Sequence, residues 1–75
     1  MEEQIEISTD YIQLGQFLKL ANILESGGMI KVFLQENGVY VNNEFETRRG
    51  KKLYPGGDTV FVKDVGTFVV KKSEQ

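Results

Sequence analysis

The sequence predicts an α+β domain in which two short packed helices lie against a small, mainly antiparallel sheet of about five short strands. Two observations point to it. Apolar residues between Leu14 and Leu34 recur at helical spacing, and beyond Gly38 the pattern switches to strand alternation broken by turn residues. Size adds a third constraint. A chain of 75 residues with 40% hydrophobic content can build one thin core, since a domain this small buries only about 60% of its unfolded surface. A single domain over residues 1–75 is expected.

Taken in order, Ile5 and Ile7 alternate with Glu6 ahead of Ser8-Thr9-Asp10, which reads as a leading strand and a turn. Leu14, Phe17, Leu18 and Ala21 then fall at i, i+3, i+4 and i+7, one face of a helix closed by Ile23-Leu24. Ser26 is placed to N-cap a second helix with Ile30, Phe33 and Leu34 as its apolar stripe. Asn37-Gly38 stops that helix, because Gly accepts the left-handed conformation there. Val39 and Val41 flank Tyr40 in a strand, Asn42-Asn43 makes a tight turn, and Glu44 to Thr47 returns as its partner. After a basic loop come Leu53-Tyr54 and the turn Pro55-Gly56-Gly57-Asp58. Strands over Thr59 to Lys63 and Thr67 to Lys71, joined through Asp64-Val65-Gly66, complete the chain.

Composition narrows the function. With no Cys and no His, the usual nucleophiles, general bases and zinc ligands are missing, so catalysis has little to work with. Glu44 and Glu46 share one side of a strand and read as solvated edge charges rather than an acid–base pair. The acidic start Met1-Glu2-Glu3-Gln4 lacks the apolar stretch of a secretory signal, and no apolar run approaches the roughly 18 residues that span a bilayer. A cytoplasmic protein without membrane association is expected.

Charge is unevenly distributed. Residues 1–30 carry Lys19 against five carboxylates, whereas residues 31–72 carry eight basic and five acidic side chains, within a total of -2. Four of the nine basic residues, Arg48, Arg49, Lys51 and Lys52, crowd one loop and build a local positive field. Phosphate is the natural target: Arg offers bidentate donors and Lys mobile point charges. Four such contacts to duplex RNA would give a log–log salt slope of order -3 to -4. Ser26-Gly27-Gly28 opens a helix with unpaired backbone N–H groups, and Lys31 lies about one turn further in, so a second anion contact is expected there. Phe17 and Phe33 sit on core stripes, while Phe45, Tyr40 and Tyr54 are the remaining aromatic candidates for base stacking. Lys71-Lys72 reads as a solvated terminal tail.

Several segments together resemble the ribosomal protein S4-like RNA-binding domain, in its small stand-alone YaaA/YbcJ-like branch. They are Leu14 to Lys19, Glu25 to Lys31, Gln35 to Asn43, Glu46 to Lys52 and Pro55 to Asp58. The resemblance covers about fifty positions in the family's order. Where many members carry basic residues, this chain has Gln13 and Gly27, which moves the weight onto Lys31 and the basic loop. The resemblance implies an S4-like fold built on the αL motif and a monomeric, non-enzymatic binder of structured RNA. Ribosomal RNA or ribosomal particles are the implied partners, with a role in large-subunit assembly and no cofactor. Lys31, Arg48, Arg49, Lys51 and Lys52 are the expected RNA-binding residues, with Ser26, Gly27 and Gly28 secondary. The alternative is a protein-interaction module whose basic loop docks on an acidic partner. A β-grasp carrier is disfavoured by the ending Lys72-Ser73-Glu74-Gln75, which lacks a reactive Gly-Gly.

Overall fold

The computed structural model describes residues 2–74. Along the chain the elements are β1 (Glu2–Ile7), β2 (Ile12–Gln13), α1 (Leu14–Leu20), α2 (Gly27–Glu36), β3 (Val39–Val41), β4 (Glu44–Glu46), β5 (Lys52–Leu53), β6 (Thr59–Val62) and β7 (Gly66–Lys72). Five strands form one sheet in the order β1-β7-β6-β3-β4, with β1 parallel to β7 and every other pairing antiparallel. This is the expected α+β architecture with an addition: β2 and β5 pair separately as an antiparallel ribbon, Ile12 opposite Leu53. Strands of two residues are too short for alternation to be read in sequence, so the ribbon escaped notice.

Strand alternation decides which side of the sheet is dry. Ile5 and Ile7, Val39 and Val41, Val60 and Val62, and Phe68 and Val70 turn inward and meet Leu14, Phe17 and Leu18 of α1 and Ile30 and Leu34 of α2. Leu53 of the ribbon joins them, fully buried, and so ties the basic loop to the core. Tyr40, Phe45 and Phe61 stay exposed on the outer face. There Tyr40 packs against Phe45 at 5.5 Å between ring centroids, and against Phe61 at 6.3 Å.

Turn chemistry sets the element boundaries. α1 stops at Leu20 because Asn22 takes φ 65°, letting the Ile23 N–H return to the Leu18 carbonyl at 3.0 Å. Ser26 caps α2, its hydroxyl accepting the Met29 N–H at 3.2 Å. Gly38 ends that helix with φ 72°, and a Cβ there would lie 2.5 Å from the Phe45 ring, so conformation and space both require glycine. Asn42 and Asn43, at φ 50° and 71°, form the two-residue hairpin turn between β3 and β4. The Asn42 side chain then bridges to the next turn, donating to the Asp58 carboxylate at 3.2 Å and accepting the Thr59 N–H at 3.0 Å.

One expectation is corrected at the far end of the chain. The expected strand over Thr67 to Lys71 continues through Lys72, so the pair belongs to β7 rather than to a solvated tail: Lys71 stands opposite Glu6, and Lys72 donates to the Thr9 carbonyl at 3.1 Å. The parallel partner β1 extends the pairing to these residues, and a long-range partner of that kind leaves no local signal.

Candidate nucleic-acid interface

The basic loop is held from three sides. Gln13 gives α1 no side-chain cap, and backbone carbonyls of the loop do that work instead. The Leu14 N–H donates to the Lys51 carbonyl at 2.8 Å and the Gly15 N–H to the Arg49 carbonyl at 2.9 Å, so the first orphan donors of α1 fasten the loop to the helix. Gly15 lies close against the loop and α2, a Cβ built there reaching Arg49 and Ile30 at 3.5–3.7 Å, ordinary contact distance.

On the strand side, Glu46 organises the entry to the loop. One carboxylate oxygen accepts the Thr47 N–H at 3.1 Å, the Arg48 N–H at 3.0 Å and the Arg48 Nε at 2.9 Å, while the other accepts Arg48 Nη2 at 3.1 Å. The Arg48 guanidinium, above all by hydrogen bonding, holds the Glu46 carboxyl down at about 2 from its ordinary 4.5, and Glu46 in turn raises Arg48. From below, buried Leu53 anchors the loop's exit.

Held there, the loop forms one wall of an open groove of about 550 Å³ whose other walls are α1 and α2. Four cations line it: Lys19 from α1, Lys31 from α2, and Arg48 and Arg49 from the loop. Gln13, Gln16 and Gln35 add neutral amides, and among the described residues no carboxylate lines the groove. Lys19, Lys31 and Arg49 make no ion pair among the described residues, so their charge is uncompensated. Arg48 is different: its charge is spent largely on Glu46, though the side chain remains 74% exposed.

The sequence-predicted residues divide. Lys31, Arg48, Arg49 and Gly27 come together in the groove. Ser26 is occupied as the helix cap, and Gly28 opens toward an apolar surface beside Met29 and Val32. Lys51 and Lys52 lie on the far side of the loop, near Tyr54. Lys19 was missed as a site residue although its signal is in the sequence. Gly15 and Lys19 are four apart on α1, while Gly27, Lys31 and Gln35 are four apart on α2, giving two stripes that flank the buried ones. Of the aromatic candidates, Phe17 is fully buried and Phe33 partly so, whereas Phe45 is 60% exposed on the outer sheet face.

Two helices and a helix-capping basic loop thus wall a cationic groove beside a sheet of this order, the arrangement of a small anion-attracting module. The S4 domain family matches residues 5–71, and the chain belongs to that family. A protein of Bacillus subtilis (strain 168), described as "Probable ribosome maturation protein RlbA", is 53% identical over 70 residues, covering 93% of this chain and 97% of that protein.

Proposed function

We propose that this protein binds structured RNA as a monomeric, non-catalytic module, with ribosomal RNA on maturing large-subunit particles as its target in the cytoplasm. The observation that carries the reading is the groove itself: four basic side chains and, among the described residues, no carboxylate, in a chain of net charge -2. Lys19, Lys31 and Arg49 take phosphate oxygens, and the geometry of the groove rather than base identity selects the target. The maturation role of the Bacillus subtilis relative, stated in its name, supports placing that RNA on the ribosome.

The test is fluorescence anisotropy of the protein against ribosomal RNA fragments across a salt series. Three phosphate contacts give a log–log slope of about -3, and removing Lys31 or Arg49 reduces it by about 1 each. A slope indifferent to both substitutions, or a failure to bind at low salt, would refute the assignment.

A further inference from the structure

The basic loop has a second side. Arg48 and Gly50 line the cationic groove, and with Lys51, Lys52 and Tyr54 they also line a separate open depression of about 610 Å³. The loop is therefore a ridge with cations on both flanks, the second of which also borders Glu44, Glu46 and Asp58, and a backbone held in the groove needs only to cross Gly50 to reach the other slope.

Two aromatic rings wait there. Ile12 pairs with Leu53 in the β2–β5 ribbon, with Leu53 fully buried, so the adjoining Tyr11 and Tyr54 are turned to the opposite, solvent side. Their ring centroids are 6.1 Å apart with planes tilted by 51°, and the rings are 41% and 51% exposed. Lys52 Nζ sits 4.8 Å from the Tyr11 ring centroid, within cation–π range. The rings rest on fixed backbone: the Tyr54 N–H donates to the Asp58 carboxylate at 2.8 Å, and the Tyr11 carbonyl accepts the Thr9 hydroxyl at 2.8 Å. Neither phenol hydroxyl has a hydrogen-bond partner among the described residues.

We infer that Tyr11 and Tyr54 form a stacking subsite for an unpaired base of the bound RNA, with Lys51 and Lys52 taking the flanking phosphates. The inference rests on the RNA-binding reading above and adds what kind of RNA fits: a helix interrupted by a bulge or bordered by a single strand, not a continuous duplex. Every base has a π-face, so the subsite discriminates unpaired from paired rather than one base from another. The outer-face rings of Tyr40, Phe45 and Phe61 are as exposed; what sets Tyr11 and Tyr54 apart is their place beside Lys51 and Lys52 on the basic loop.

The experiment compares two short RNA hairpins, identical except for a single bulged adenosine, against the full chain and its Tyr11→Leu, Tyr54→Leu and Tyr54→Phe variants. Circular dichroism confirms that each is folded. Leu keeps apolar cover without a π-face, and Phe keeps the ring without the hydroxyl. The expected result is a preference for the bulged hairpin of about 5- to 100-fold, lost in the Leu variants and kept in the Phe variant, with fully paired binding unchanged. Intrinsic emission gives an independent reading, because the chain has no Trp and these are two of its three Tyr. The bulged hairpin quenches it more than the paired one. Equal binding of both hairpins by the wild type, or a preference surviving in the Leu variants, overturns the subsite while leaving the groove intact. No binding to either hairpin overturns the RNA-binding reading and the subsite with it.

Discussion

Replacing Glu46 by Gln should destabilise the domain in a way that disappears in acid. The native carboxylate accepts hydrogen bonds from Thr47 and from the Arg48 backbone and guanidinium. Gln retains one acceptor oxygen and loses the charge. A carboxyl lowered from 4.5 to about 2 corresponds at full weight to about 3 kcal/mol. Because Arg48 is 74% exposed, solvent screening reduces this to about 1–2 kcal/mol. For a domain of this size that is a fall in Tm of roughly 5–15 °C. Folding depresses this pKa, so the contribution is complete above the unfolded value of 4.5 and fades as pH falls toward about 2. Thermal or urea unfolding followed by circular dichroism, run from neutral to acid, reads the gap between wild type and variant. The reasoning fails if the two unfold alike near neutrality, or if a gap seen there persists unchanged at the acid end.

Two further substitutions follow. Gly38→Ala forces a left-handed φ on a Cβ that meets the Phe45 ring, and should cost about 2–4 kcal/mol in urea unfolding; a loss below about 1 kcal/mol would mean that the ring swings away freely. Ser26→Ala removes the cap bond to Met29, lowering stability by about 1 kcal/mol. If the Ser26 hydroxyl serves the helix rather than the ligand, RNA affinity changes less than about twofold, and a larger loss in anisotropy would return it to the interface.

What could be read from the sequence was local. Leu14, Phe17 and Leu18 and then Ile30 and Leu34 announce their helices because a helix repeats its face within a few residues. Ser26, Gly38 and Asn42-Asn43 mark boundaries because their side chains, or the lack of one, act on neighbouring backbone. What escaped was long-range. The carbonyls of Arg49 and Lys51 that cap α1 come from residues distant in sequence, and no cap residue at Gln13 betrays them. The same holds for β2 against β5 and for β7 continuing through Lys72. Within the basic loop, composition alone could not tell Arg49, which has no ion-pair partner among the described residues, from Arg48, which Glu46 engages. Nor could it assign Arg49 and Lys51 to opposite slopes of one ridge.

The parallel pairing of β1 with β7 has a consequence for the nascent chain. It joins residue 2 to residue 67 and residue 7 to residue 72, so β1 stays without its partner until residues 67–72 have left the exit tunnel. Until then Ile5 and Ile7 have no sheet to bury them, and the helices pack on an incomplete floor. Closure this distant in sequence slows folding, because loop entropy is lost before the contact forms. Native structure should therefore arrive as a late, all-or-none event once β7 is free to pair, with the acidic side chains of Glu2, Glu3 and Glu6 keeping the waiting strand soluble.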